Sequence, residues 1–235
     1  MNVAIIVAAG RGTRAGAGAR PKQFRLLCGT PVLVHTLRRF EECETITRTI
    51  AVVPADSAEE FETSAREHGL VKLARVVAGG ATRTESVWRG LQAINHATVR
   101  IVAVHDGVRP FVGPAEIDAT VRAAEKHGAA ALVAHATDTI KEVRDGLITQ
   151  TYERANLRRA LTPQCFRFEL LRRAYERALA EGIDATDDCA LVERLGATVA
   201  AVEGDARNIK LTRPEDFALA EIFLKSGVRS LESGV

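Results

Sequence analysis

Strong charge bias, paired cysteine motifs and long apolar runs are all missing from this chain of 235 residues. Its 32 Lys and Arg against 30 Asp and Glu leave a net charge of +2 at pH 7. That is too small to draw the whole molecule to nucleic acid or to a membrane surface. The four cysteines, Cys28, Cys43, Cys165 and Cys189, show no C-x-x-C spacing. They read as reduced structural thiols of a cytoplasmic protein, which argues against a zinc site or a disulfide frame. The apolar run 3–9 is too short to span a bilayer, and no basic region precedes it as in a signal peptide. Internal repeats are absent, and so is the Walker pattern G-x-x-x-x-G-K-[ST]. What remains is ordinary for a globular protein: 46% hydrophobic and 26% charged residues, enough for one α/β domain over 1–235.

The informative stretch comes first. A short apolar strand at 2–7 runs into Ala8-Ala9-Gly10-Arg11-Gly12-Thr13-Arg14, and Arg20-Pro21-Lys22-Gln23 follows. Residues without a Cβ let an anion approach backbone N–H groups closely. Arg14 and Lys22 add positive charge around the same loop. Together they suit a polyphosphate, and so an enzyme that works at the phosphorus atoms of a nucleoside triphosphate. Gly10 to Ala15 also fits the dinucleotide pattern G-x-G-x-x-G/A. That reading requires a helix directly after the loop and an acid ending the next strand. Gly16, Gly18 and Pro21 deny the helix, and the next strand ends in Val53-Pro54.

Short apolar segments at 2–7, 48–53, 72–78, 100–105 and 130–134 read as strands buried on both faces of a mostly parallel sheet. Between them lie helical patterns: Thr30-Pro31 as N-cap and first residue, a Ser57/Glu60 capping box before 58–68 with Gly69 as its stop, and a start at Pro114. The order predicts a doubly wound α/β fold whose site lies at the carboxyl ends of the strands. One excursion breaks the alternation: two extended segments flank Asp145-Gly146, a β-hairpin within about 136–156. It is either a surface flap or a piece that packs on a second subunit. A helix near 168–180, a strand at 197–202 and a helix opened by Pro214 complete the chain.

Further segments fall at strand ends. Gly79-Gly80 before a helix start forms either a tight turn with Ser86 in its first helical turn or a cradle for base or ribose, and Arg83 favours the ligand. His105-Asp106-Gly107 is either an Asp-Gly turn or a place for Mg²⁺, which wants hard oxygen ligands. Arg109 can face an anionic acceptor. Arg154, Arg207 and Lys210 read singly as surface charges, but with Arg14 and Lys22 they suggest five cations around one pocket.

The segments Ala8-Ala9-Gly10-x-Gly12-x-Arg14, Pro21-Lys22-Gln23, Gly79-Gly80-x-x-Arg83-x-x-Ser86-Val87, Val104-His105-Asp106-x-x-Arg109-Pro110, Thr162-Pro163-Gln164-x-Phe166, Thr186-Asp187-Asp188 and Asn208-Ile209-Lys210-x-Thr212-x-Pro214-Glu215-Asp216 resemble the 2-C-methyl-D-erythritol 4-phosphate cytidylyltransferase family. They come in that family's order across residues 3–220. The resemblance implies a Rossmann-like nucleotidyltransferase fold and a homodimer whose hairpin arm completes the neighbour's site. It also implies CTP, a sugar-alcohol phosphate acceptor and Mg²⁺ or another divalent cation. By match of motif, Arg14 and Lys22 stabilise the transition state while Arg154 and Lys210 position the acceptor phosphate. The nucleotide falls to Ala8, Ala9, Gly10, Gly12, Gly79, Gly80, Arg83 and Ser86. Arg109, Thr139, Thr162 and Thr186 lie near the alcohol, and Asp106 holds the metal. Two other functions compete. One is a ribitol 5-phosphate (pentitol phosphate) cytidylyltransferase, which differs in the acceptor pocket. The other is a non-catalytic nucleotide-binding regulator, which has no need of transition-state cations.

Overall fold

In strand β1 (Asn2–Val7) side chains alternate between two apolar layers: Ala4 and Ile6 enter one, Val3 and Ile5 the other. A strand buried on both faces belongs in the middle of a sheet covered on both sides. The computed structural model, which describes residues 1–10, 21–95 and 98–226, has that arrangement. After a two-residue hairpin, β2 (Leu26–Leu27) and β3 (Thr30–Pro31), come helix α1 (Val32–Glu42), β4 (Arg48–Val53), α2 (Ala58–Glu67) and β5 (Leu73–Ala78). Then follow α3 (Arg83–Gln92), β6 (Ile101–Asp106), α4 (Pro114–His127) and β7 (Ala129–His135). The arm strands β8 (Lys141–Arg144) and β9 (Leu147–Thr151) precede β10 (Arg158–Arg167), α5 (Phe168–Ala180), α6 (Asp188–Glu193), β11 (Ala200–Glu203) and α7 (Pro214–Lys225).

The central sheet has the order β11-β7-β10-β6-β1-β4-β5. All its pairings are parallel except those of β10 with β6 and β7. From β1 the chain winds outward to β4 and β5, then returns to β6 on the other side. The β1/β6 boundary is therefore the topological switch point, where open α/β sheets bind ligands. Val7 pairs with Asp106 across it.

The doubly wound, mostly parallel sheet is as expected, and β1 and β4 coincide with the predicted strands. Three local readings need correction. Strand β10 was not foreseen, because Pro163 interrupts its apolar run. The ladder tolerates the proline by a register shift between Ala160 and Gln164, as bulges allow. The Ser57 capping box does not form: the Ser57 hydroxyl donates to Asp56 Oδ1 at 3.1 Å and makes no cap bond. Helix α1 starts after Pro31, since Thr30 and Pro31 pair with β2. Ser86 lies in the first turn of α3, as read from the sequence, and the cap of that helix is Thr82, which accepts from the Glu85 N–H at 3.2 Å. The hairpin matches its prediction, with both turn residues in the left-handed region, Asp145 at φ 51° and Gly146 at φ 80°. Among the described residues no helix is long and apolar enough to cross a membrane.

Candidate active site

The carboxyl ends of β5, β1 and β6 meet through small residues. Gly79 is obligatory there: a Cβ at this position would stand 2.1 Å from the Ala9 Cβ. Gly107 is confined in the same way, with its Cβ position 2.8 Å from the Ala8 Cβ, and its N–H donates to the Val7 carbonyl at 2.8 Å. Gly80 N–H donates to Ser86 Oγ at 3.1 Å, while that hydroxyl donates to the Thr82 carbonyl at 2.8 Å. Ser86 thus ties the glycine turn to the first turn of α3. On the far side of the β1 loop, the buried Gln23 amide donates to the Ala8 carbonyl at 2.6 Å and to the Gly10 carbonyl at 3.1 Å. Gly12 and Arg14 lie outside the described residues.

Beside this rim a cavity of about 300 Å³ is lined by Arg83, Asp106, Arg109, Thr162, Thr186 and Lys210, together with Ala160, Leu161, Gln164 and Asp187. At its floor Asp106 Oδ2 accepts from Lys210 Nζ at 3.0 Å and from Arg109 Nε at 3.2 Å. Burial by itself would raise the Asp106 pKa. The cations Lys210, Arg109 and Arg83 outweigh it and hold the carboxyl well below the usual range. Arg109 is fixed at its other end by the Asn208 carbonyl at 2.8 Å, and Asn208 Nδ2 donates to the Thr162 carbonyl at 2.8 Å.

His105 sits under this floor, wholly buried, its Nε2 3.1 Å from the Arg109 carbonyl and its Nδ1 3.0 Å from Thr162 Oγ1. A carbonyl can only accept, so Nε2 carries the proton and Nδ1 accepts from the Thr162 hydroxyl. That hydroxyl oxygen in turn accepts from the Asp106 N–H at 3.2 Å. Desolvation pushes the His105 pKa down to about 4, so the ring is a neutral spacer between Thr162 and Arg109.

The wall of the cavity is braced from below. Arg83 makes a bidentate pair with the buried Asp188, at 2.9 and 2.5 Å, and Tyr175 donates its hydroxyl to the same carboxylate. Gln164 accepts from the Asp188 N–H at 3.0 Å and donates to Asp187 Oδ2 at 2.6 Å. Tyr175→Phe should cost about 1.5–3 kcal/mol, the worth of a hydrogen bond to a charged group. For a chain of this size that is a fall in Tm of roughly 3–12 °C. Thermal melting checks it; an unchanged Tm would show that the hydroxyl adds nothing to the brace.

The structure therefore brings together six residues singled out from the sequence: Arg83, Asp106, Arg109, Thr162, Thr186 and Lys210. Lys22 opens a 3₁₀ turn, Lys22–Phe24, beside the β1 loop. Thr139 and Arg154 stand apart on the exposed hairpin, where Arg154 Nη1 donates to the Thr137 carbonyl at 2.9 Å. Of the five cations read around one pocket, Lys210 lines this cavity beside Arg83 and Arg109, Arg207 pairs with Asp205 outside its lining, and Arg14 lies outside the described residues. At the N-terminus of α7 Asp216 Oδ2 accepts from the Thr212 and Arg213 N–H groups, each at 2.7 Å. Sequence reasoning passed over Gln23, Gln164, Asp188 and Asn208. Each stood inside a recognised motif, but none has chemistry that marks it without its distant partner. For a metal, no cluster of three His, Cys, Asp or Glu side chains exists among the described residues. One carboxylate still fits Mg²⁺, which commonly takes one or two carboxylates and fills its sphere with substrate phosphates and water.

Cations and small residues at a switch point suit group transfer between two anions, and on this sheet they define an α/β nucleotidyltransferase. A family model described as 2-C-methyl-D-erythritol 4-phosphate cytidylyltransferase matches residues 2–226, and the chain belongs to that family. It is 44% identical over 229 residues to the enzyme of that name from Acidobacterium capsulatum, covering 94% of this chain and 96% of the relative. The crystal structure of 4-diphosphocytidyl-2C-methyl-D-erythritol synthase from Anaerococcus prevotii superposes with a TM-score of 0.84 at 30% identity, over 95% of this chain and 96% of that one. The Thermus thermophilus 2-C-methyl-D-erythritol 4-phosphate cytidylyltransferase gives 0.77 at 32% identity, over 96% of this chain and all of that one.

Proposed function

We propose that this protein transfers CMP from CTP to 2-C-methyl-D-erythritol 4-phosphate. The products are 4-(cytidine 5'-diphospho)-2-C-methyl-D-erythritol and pyrophosphate, in isoprenoid precursor synthesis. The observation that carries the reading is the Asp106–Arg109–Lys210 cluster across the switch point from the Ala8–Gly10 loop. An oxygen of the acceptor phosphate attacks the α-phosphorus of CTP. The new P–O bond forms as the bond from the α-phosphorus to the bridging oxygen breaks, and pyrophosphate leaves with that electron pair. The acceptor oxygen is already ionised at neutral pH, so no general base is required. His105 is neutral and walled in. What the enzyme supplies is alignment and charge neutralisation.

In this reading Arg14 and Lys22 follow negative charge onto the leaving pyrophosphate, and Lys210 and Arg154 hold the acceptor phosphate. Arg109, Thr139, Thr162 and Thr186 shape the alcohol site. The backbone around Ala8, Ala9, Gly10, Gly12, Gly79 and Gly80, with Ser86 and Arg83 behind it, receives the nucleotide. Asp106 would hold Mg²⁺, which when bound neutralises part of the triphosphate charge. We also read the hairpin as the arm of a homodimer. It exposes Val143, Leu147 and Ile148 at 57, 72 and 65%, and its Thr139 and Arg154 do not line their own chain's cavity. Four unpaired cysteines accord with a reducing, cytoplasmic setting.

Pyrophosphate release measured with each of four nucleoside triphosphates, against methylerythritol 4-phosphate and ribitol 5-phosphate, tests the substrates. CTP with methylerythritol 4-phosphate should be the productive pair. Preference for ribitol 5-phosphate would move the protein to the pentitol enzymes. No release with any pair would make it a nucleotide binder.

A further inference from the structure

Gln23 is 1% exposed, yet it is polar and sits on a turn one residue from Lys22. A buried amide with both N–H groups directed at backbone is there to hold that backbone. Its Nε2 reaches the carbonyls on either side of Ala9, Ala8 at 2.6 Å and Gly10 at 3.1 Å. A peptide unit is planar and trans, so fixing a carbonyl fixes the N–H that follows it on the opposite side. Drawing the Ala8 carbonyl toward Gln23 therefore sets the direction of the Ala9 N–H. The same bonds tie the turn that carries Lys22 to the strand end beside Asp106.

Given cytidylyl transfer from CTP, on which this role rests, we infer that Gln23 is a positioning residue for the triphosphate. It touches no reacting atom. It holds the Ala8–Gly10 backbone and the Lys22 turn at one mutual distance, so that the donors meeting the α-phosphate and the cation following the leaving group stay aligned. Misalignment near 1 Å in such a site costs up to about 10²-fold in rate. Binding suffers less, because a triphosphate satisfies mobile donors almost as well as fixed ones.

Two variants test this. Gln23→Leu removes the donors at similar volume. Gln23→Asn keeps the amide but shortens its reach by one methylene, so both carbonyls cannot be held; it also serves if Gln23→Leu proves insoluble. Turnover per folded molecule should fall roughly 10–100-fold in both. CTP affinity by calorimetry and the Michaelis constant for the acceptor should stay near wild type. Turnover equal to wild type in the folded fraction overturns the role, and so does a loss confined to CTP affinity. Wild-type protein that releases no pyrophosphate from CTP with either acceptor overturns the reaction, and the role with it. Active wild type beside unimpaired variants overturns the role alone.

Discussion

Asp106→Asn should reduce pyrophosphate release by more than about 10³-fold, beyond the 10²–10³ expected for one lost transition-state donor. The reason is that one carboxylate oxygen anchors two cations, Arg109 at 3.2 Å and Lys210 at 3.0 Å. An amide oxygen in the place of Oδ2 can still accept from both, but the neutral side chain cannot balance their charge. Removing one charge from a buried pair costs about 3–5 kcal/mol. The lower end applies, because the Lys210 side chain is 44% exposed and can turn to water. About 3 kcal/mol corresponds to a fall in Tm of roughly 6–12 °C in a chain of this length. The pH dependence follows from the lowered Asp106 pKa. A depressed carboxyl contributes stability that is present above its unfolded pKa and lost as pH falls toward its folded value. Wild type should therefore lose part of its stability at acid pH, below the ordinary carboxylate value of 3.8, and Asp106→Asn should lack that component. Magnesium titration separates two duties of the side chain. A raised requirement marks it as a ligand; an unchanged requirement with lost turnover leaves it as the anchor of the two cations. Near-normal turnover would reduce Asp106 to a turn residue.

That cluster shows what a sequence can reveal. Asp106 and Arg109 are three residues apart at a strand end, so their proximity follows from local geometry. Lys210 joins them only because β6 and the segment before α7 converge in the fold. The glycines were legible for a related reason: a strand that breaks into small residues has few purposes, and contact distances at Gly79 and Gly107 account for both. The brace behind the wall was not. Arg83 and Asp188 are 105 residues apart; Arg83 read as a ligand contact, and nothing local to either residue names the other as its partner. Strand β10 escaped because a proline ordinarily argues against a central strand, and its bulge could be known only from its neighbours. The Ser57 box failed for a local reason: its backbone, at φ −116° and ψ 0°, departs from the extended conformation that aims an N-cap oxygen at the first-turn N–H groups.

Mixing two crippled proteins should restore activity. Lys22→Ala alone should lose about 10²–10³ in turnover with CTP binding largely kept, as a transition-state cation requires. Arg154→Ala should be similarly weak, through loss of a cation from the acceptor phosphate. If the hairpin reaches across a two-fold axis, each site combines Lys22 of one chain with Arg154 of the other. A mixed dimer then holds one site with both defects and one with neither. With random exchange half of the dimers are mixed, so about a quarter of all sites become intact. If the arm served its own chain, every site in a mixed dimer would keep one defect. The geometry favours the first arrangement. All five residues of β9 are exposed, an apolar tip of Val143, Leu147 and Ile148 stays exposed among the described residues, and neither Arg154 nor Thr139 lines its own cavity. An isolated two-stranded hairpin is at best marginally stable in water, and a second arm would supply the surface it lacks. Subunit exchange is verified with two tag lengths on one native gel, and pyrophosphate release is then followed in the mixture. Exchange without recovery would return Arg154 to its own subunit and leave the chemistry of the cavity untouched.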